Sequence, residues 1–284
     1  MQQFKNHVAV ITGAASGIGL GIAERCVQEG MRVVLADVEA AALRQAESNL
    51  RAAGGTVLAV QTDVSHYADV EALAQQSLDA FGAVHLLVNN AGVGSGGNAW
   101  ESSLADWEWV IGVNLMGVIH GLRAFVPIML AQNDDGHIVN TASAAGLLNY
   151  HPSSPYQVTK HAVVALSENL YFSLAYQRSR LKVSVLCPGW VKTRILESER
   201  NRPLELQNPP PSQALEPEQL KFFEQVMRDM RHAVETGMAP QQVADLVFDA
   251  IRKEQFYILT HPEFNASIQQ RLEDIIQQRN PGFE

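Results

Sequence analysis

The chain has 284 residues, 46% of them apolar, which suits a sizeable buried core in one large or two small domains. A formal charge of -9, with no block of lysines or arginines, disfavours a nucleic acid partner. The most apolar region is interrupted by Asn114, His120 and Arg123 and falls short of the roughly 18 unbroken residues of a bilayer span, and the first strand pattern starts too close to Met1 for a signal peptide; a cytoplasmic protein with no membrane partner is expected.

Val8-Ala9-Val10-Ile11 reads as a strand buried on both faces. It feeds a glycine-rich turn, Thr12-Gly13-Ala14-Ala15-Ser16-Gly17-Ile18-Gly19, and then a helical pattern to Gly30. Such a turn lets backbone approach a pyrophosphate while the helix N-terminus offers free N–H groups. The Gly-x-x-x-Gly-x-Gly spacing differs from the common dinucleotide fingerprint, and alone it would equally suit a tight strand-to-helix connection. The next strand, Arg32 to Ala36, ends at Asp37, eighteen residues after Gly19, near the ~20 expected of a carboxylate that holds an adenosine ribose. No Arg or Lys stands at Ala14, Ala15, Ser16 or Val38 to offset that charge, so NAD is expected over NADP; if Asp37 only caps the next helix, the choice stays open.

The alternation of strand and helix continues. Thr56 to Val60 leads to Asp63-Val64, where the acid either reads an adenine amino group or caps the helix expected from about Tyr67 to Phe81. A fourth strand, Val84 to Val88, runs into Asn89-Asn90-Ala91-Gly92, small residues that suit a flat ligand, and then into the loop Gly94-Ser95-Gly96-Gly97. From Leu104 an apolar stretch reaches Leu130. Within it the Asn114 amide needs partners, either neighbouring backbone or a kink that opens a carbonyl to water.

A fifth strand, Ile138 to Ala142, delivers Ser143 to the mouth of a sheet. Pro155 opens a helix on which Tyr156 and Lys160, four apart, share one face, so the ammonium is expected to lower the phenol pKa and let it exchange a proton. On its own, such a pair would equally be a solvated face. A sixth strand, Val183 to Cys187, ends at Pro188-Gly189-Trp190-Val191-Lys192-Thr193. From about 193 to 237 prolines break the pattern before an amphipathic helix from Glu218 to Val234; the segment is either a substrate lid or a plain linker. A helix (Pro240 to Lys253), a seventh strand (Phe256 to Thr260) and a tail from about 261 to 284 finish one domain. Cys26 and Cys187 show no metal-ligand spacing and are expected to be inert thiols, with no metal site. Strands separated by helical crossovers, with the polar candidates at their C-terminal ends, predict an α/β, doubly wound, Rossmann-type sheet of seven parallel strands.

Taken together, these motifs resemble the short-chain dehydrogenase/reductase superfamily over at least Val8 to Thr193. The resemblance implies an NAD-dependent oxidoreductase that interconverts a secondary alcohol and a ketone. Tyr156 would be its general acid/base, Ser143 the group that polarises substrate oxygen, Lys160 the partner that lowers the tyrosine pKa and binds the nicotinamide ribose, and Asn114 the anchor of a proton relay. It further implies cofactor contacts at Gly13, Ser16, Gly17, Ile18, Gly19, Asp37, Asp63, Val64, Asn90, Ala91, Gly92, Tyr156, Lys160, Pro188, Gly189, Val191 and Thr193. Many relatives end in a Val-Asp-Gly-Gly-like turn at a tetramer interface, whereas here Tyr257-Ile-Leu-Thr-His-Pro and a further helix follow, so a homodimer is as plausible as a homotetramer. The segment Glu197 to Pro203 with Leu259-Thr-His261 is also similar to a bacterial subgroup that oxidises benzylic alcohols of lignin-derived aryl ethers. A pocket edged by Leu147, Leu148, Tyr150, His151 and Trp190 would suit a bulky apolar or aromatic alcohol, or else these are ordinary packing residues. The alternatives are an NADPH-dependent ketoreductase and a non-catalytic dinucleotide binder.

Overall fold

A computed structural model describes residues 1–149, 153–209 and 216–282. Seven parallel strands form one sheet: β1 (Val8–Thr12), β2 (Arg32–Asp37), β3 (Thr56–Gln61), β4 (Leu86–Asn89), β5 (Gly136–Thr141), β6 (Leu181–Cys187) and β7 (Tyr257–Leu259), in the order β3-β2-β1-β4-β5-β6-β7. All five residues of β1 are buried, as their unbroken apolar run requires of a strand covered on both faces. Val10 pairs with Val34 of β2 on one side and Leu87 of β4 on the other. The chain reverses its winding at this boundary, so a crevice opens beyond the C-terminal ends of β1 and β4.

Helices α1 (Gly17–Gln28), α2 (Ala40–Ala52) and α3 (Tyr67–Phe81) connect the first four strands, and α4 (Leu104–Ile111), α5 (Gly117–Ala131) and α6 (Ser154–Tyr176) lie between β4 and β6. α7 (Pro217–Thr236), α8 (Pro240–Lys253) and α9 (Asn265–Ile276) follow. The fourth strand starts later than its apolar pattern suggests, because the Gln132 side chain takes both backbone groups of Val84, donating to its carbonyl at 2.7 Å and accepting its N–H at 2.8 Å. Cys26 and Cys187 are buried, and burial pushes both thiols up, Cys187 to about 12.

The expected kink at Asn114 is a π turn. Gly112–Met116 joins α4 to α5, and the Gly117 N–H reaches back five residues to the Gly112 carbonyl. The whole run Leu104–Ala131, 28 residues with mean hydropathy 1.5, would be long and apolar enough for a bilayer. Its Trp109, Asn114, Val118 and Phe125 are instead buried in this fold, with Phe125 packed in the core beside Leu87 and Ile138.

One cluster was invisible to spacing. His7, His85 and Asp134 converge at the opposite end of the sheet, their nitrogen and oxygen atoms within 4.8 Å of one another. Nδ1 of His85 accepts the Val8 N–H at 3.1 Å, so its neutral ring carries the proton on Nε2, which leaves no lone pair there for a metal.

Candidate active site

β5 ends at Thr141 and hands the chain to Ser143, which is 9% exposed and begins a short 3₁₀ turn, Ala144–Gly146. The Ser143 hydroxyl accepts the Ala145 N–H at 3.1 Å, donates to the Pro188 carbonyl at 3.4 Å and lies near enough to the Tyr156 phenol to act on its pKa. Pro155 lies in the first turn of α6, where its missing N–H costs nothing, and it starts the helix that carries Tyr156 and Lys160. Lys160 is buried and donates to the Thr141 carbonyl at 3.0 Å, with its ammonium 5.6 Å from the centre of the Tyr156 ring.

This arrangement corrects one expectation. The phenol is not pulled down: burial pushes the Tyr156 pKa up, and the neighbouring Ser143 hydroxyl opposes that only in part. Lys160 faces the ring and is itself desolvated, which lowers its pKa from 10.5 to about 8. Low dielectric disfavours the charged form of both groups, so the pair exists with the tyrosine protonated.

Asn114 is fully buried and staples two elements together. Its Oδ1 accepts the Val93 N–H at 2.8 Å, and its Nδ2 donates to the Val93 carbonyl at 2.9 Å and to Thr159 Oγ1 at 3.3 Å. The side chain is thus satisfied by backbone and by α6, and it holds the loop after Asn90 against the π turn. A side-chain atom built on Gly92 would lie 3.4 Å from Asn114 Oδ1 and 3.5 Å from Lys160 Nζ, which places this loop directly over the Ser143, Tyr156, Lys160 group.

The glycine turn closes the other side of the crevice. Gly13 has φ +64°, and a Cβ there would come within 2.8 Å of the Ala91 Cα. A Cβ on Gly19 would fall on the Gly13 carbonyl oxygen, with Asn90 Nδ2 at 2.7 Å. Asn90 Nδ2 donates to the Thr12 carbonyl at 3.0 Å, while Thr12 Oγ1 accepts the Asn90 and Ala91 N–H groups at 2.9 and 3.1 Å. Thr12 is therefore the post that joins the two loops, a role its place before Gly13 had not signalled.

The donor set here suits a dinucleotide. Ser16 stands at the N-cap of α1 without a side-chain cap, so the first N–H groups of the helix face outward with Ile18 in the first turn. They border a cleft of about 440 Å³ that Gly17, Lys192, Thr193, Arg194 and Val234 also line. Asp37 accepts the Ala15 N–H at 3.0 Å on one oxygen and the Glu39 N–H at 2.9 Å on the other, which leaves acceptor capacity on both for ribose hydroxyls. Burial pushes its pKa up against these bonds. Asp63 is spent more locally: Oδ1 takes the Ser65 N–H at 2.9 Å and the Ser65 hydroxyl at 2.6 Å, and Val64 packs beneath Gly117 at the start of α5.

Past β6, Pro188 and Gly189 turn under the tail. Gly189 donates to Thr260 Oγ1 at 3.2 Å, and a Cβ there would meet Phe264 and His261. The segment from Thr193 to Gly237 has a pinned stem: Lys192 donates to the Met238 carbonyl at 3.0 Å, and Met238 donates to that of Trp190 at 2.9 Å, beside buried Val191. From this stem a strap of 3₁₀ turns, Ile195–Asn201 and Leu204–Leu206, crosses the crevice. Ser198 Oγ accepts the Gly94 N–H at 2.8 Å, and the Arg202 guanidinium, 4% exposed, lies 4.8 Å over the Trp109 ring and pairs with Asp106. Sequence reading used the segment from Glu197 to Pro203 only as a resemblance and gave Ser198, Arg200 and Arg202 no partners, since charges in an irregular segment declare none. In the expected substrate pocket, Leu148 is buried and Leu147 packs against the core cluster of Val118, Val163 and Val185, while Trp190 is 39% exposed. Tyr150 and His151 lie outside the described residues.

Comparison with known proteins agrees with this architecture. Residues 7–203 match the family described as short chain dehydrogenase. A short chain dehydrogenase/reductase from Burkholderia phymatum, solved in complex with NAD, is 50% identical, with a TM-score of 0.94 over 100% of this chain and 99% of that one. A CLA biosynthesis dehydrogenase/reductase of Lactiplantibacillus plantarum is 34% identical over 97% of this chain and 95% of its own. A cyclohexanol dehydrogenase of an Acinetobacter species is 36% identical over 68% and 76%, respectively.

Proposed function

Because the chain belongs to the short chain dehydrogenase family, in which it is an oxidoreductase, we propose that it interconverts a secondary alcohol and a ketone with NAD as redox partner. The observation that carries this reading is Ser143 set close enough to Tyr156 to act on its pKa, beside a buried ammonium at the rim of a crevice with helix N–H donors and a ribose-type carboxylate. NAD, when bound, supplies the hydride acceptor. Its pyrophosphate suits the N–H groups of Gly17, Ile18 and Gly19, and its ribose hydroxyls suit Asp37. The NAD carried by the Burkholderia relative supports this choice.

The chain's own residues divide the remaining work. Ser143 is placed to hydrogen-bond the substrate oxygen and Tyr156 to exchange a proton with it. Lys160 spends one of its three protons on Thr141, among the described contacts, and the others suit a ribose. Asn114, by fixing the π turn and the Val93 loop, positions the floor of the site. A protonated phenol is poised to donate to a ketone; to accept a proton from an alcohol it must first lose its own. The strap and α7 serve as the substrate lid over a bulky apolar or aromatic alcohol, and the cyclohexanol dehydrogenase relative supports the apolar, cyclic part of that reading. A cytoplasmic homo-oligomer follows from the same reading, with the exposed Tyr171, Phe172 and Tyr176 on α6 as the surface to cover.

The test is a panel of aryl, steroid and aliphatic secondary alcohols with NAD, run beside Tyr156→Phe. The substitution is expected to lower turnover about 1,000-fold while NAD affinity stays within about threefold. A variant that keeps most of its turnover would remove Tyr156 from the chemistry.

A further inference from the structure

Asp37 is not alone at the ribose end of the crevice. Glu39, two residues on and at the N-cap of α2, points its carboxylate across to the strap. Its Oε1 accepts from Arg200 Nε at 3.0 Å, from Arg200 Nη2 at 2.7 Å and from Asn201 Nδ2 at 3.1 Å, and its Oε2 lies 3.8 Å from Arg194 Nη1. Burial alone would raise the Glu39 pKa, but the Arg200 and Asn201 hydrogen bonds outweigh it and hold the carboxyl below its usual range. The Arg200 charge also reaches Asp37, where it acts to lower the pKa.

The two faces of the Arg200 guanidinium do different things. Nη1 donates to the Arg194 carbonyl at 3.1 Å and the Glu197 carbonyl at 2.8 Å, which ties the group to the strap whatever happens at Glu39. The Nε and Nη2 edge forms the fork that Glu39 occupies. That fork has the geometry of bidentate phosphate recognition, and an arginine beside the ribose 2′ position is what accommodates a 2′-phosphate.

We infer that Glu39 selects the dinucleotide by occupying the Arg200 fork: it turns a ready phosphate-binding guanidinium into one side of a neutral clamp, so that a 2′-phosphate meets only the Asp37 and Glu39 carboxylates. Discrimination is then shared between strand β2 and the strap. The inference rests on the dinucleotide reading above. With Glu39 removed, Nη1 keeps Arg200 in place, and the freed fork faces the 2′ position with Arg194 beside it. Asp37 still repels, so the gain is partial.

The experiment is calorimetric titration with NAD and, separately, NADP of the full-length wild type, Glu39→Ala, and Glu39→Ala combined with Arg200→Ala. No substrate is needed. Glu39→Ala is expected to tighten NADP about tenfold, with NAD changed less than about threefold, and Arg200→Ala should abolish the gain. If Glu39→Ala fails to fold, Glu39→Gln keeps the size and drops the charge, and a smaller gain in the same direction is expected. Unchanged NADP affinity in a folded Glu39 variant that still binds NAD, or a gain that survives Arg200→Ala, overturns the inference. A wild type that binds neither dinucleotide refutes the cofactor reading itself, which is a distinguishable result.

Discussion

Two regions face each other across the crevice and are built by opposite means. The turn from Thr12 to Gly19 is held chiefly by close backbone approach, a positive φ at Gly13 and a main-chain carbonyl where a Gly19 side chain would sit, with the short Thr12 hydroxyl fastened to two N–H groups of the facing loop. The strap from Ile195 to Leu206 is held by side chains, through Arg200 on Glu39, Ser198 on Gly94 and Arg202 on Asp106. Backbone contacts tolerate no added atom, whereas side-chain pairs can be exchanged or released one at a time. A pyrophosphate site needs the first property, and a cover that must let substrate in and out needs the second.

Gly19→Ala tests the first half of this contrast and carries the largest expected effect. The new methyl would overlap the Gly13 carbonyl, so a destabilisation of about 3 kcal/mol is expected, read by urea titration, together with at least about a 100-fold loss of NAD affinity. A well-folded variant with normal NAD binding would show that the turn has slack. Arg202→Ala tests the second half. It should loosen the strap and raise KM for a bulky alcohol about tenfold while calorimetric NAD affinity stays put; equal losses for both ligands would mean that the strap is part of the cofactor site.

The catalytic pair lies between the two regions, and its protonation gives two smaller effects. Since burial raises the Tyr156 pKa, the base form that oxidation needs is scarce at neutral pH. Initial oxidation rates should therefore climb several-fold from about pH 7 to about pH 10, while ketone reduction should not, and a flat oxidation profile would count against a tyrosine base. Lys160 shifts the other way. Its folded pKa of about 8 lies below the unfolded 10.5, so the unfolded chain binds the extra proton and burial of the charge penalises folding fully below about pH 8. That penalty fades as pH rises toward 10.5. The melting temperature of Lys160→Met relative to wild type, measured without cofactor, should thus be higher by a few degrees at pH 7 than at pH 9.5; a pH-independent difference would place the buried ammonium in a polar setting.

Much of the site was legible along the chain. Local pattern located each strand of the sheet and the turn between β1 and α1, because period, glycine and proline act within a few residues of where they stand. The same reading erred on Tyr156. Two residues four apart do share a helix face, but which part of one meets the other, and how far Lys160 is drawn out of water, depends on how α6 packs against β5. Asp63 was left between two roles; its side chain bonds Ser65 in the turn before α3, whose N-cap is His66, and so does not cap that helix.

What the sequence determined by itself was the α/β alternation, the glycine turn, Asp37 at the end of β2 and the Tyr156, Lys160 spacing, all consequences of short-range backbone preference and hydrophobic period. Only the tertiary structure decided that Asn114 staples a π turn to Val93, that Thr12 joins two loops more than 75 residues apart in sequence, and that Glu39 holds Arg200 across 161 residues. Those contacts arise where a parallel sheet gathers the ends of distant strands at one edge. Charge and hydrogen-bond complementarity there depend on distance in space, and no local pattern in the chain encodes that distance.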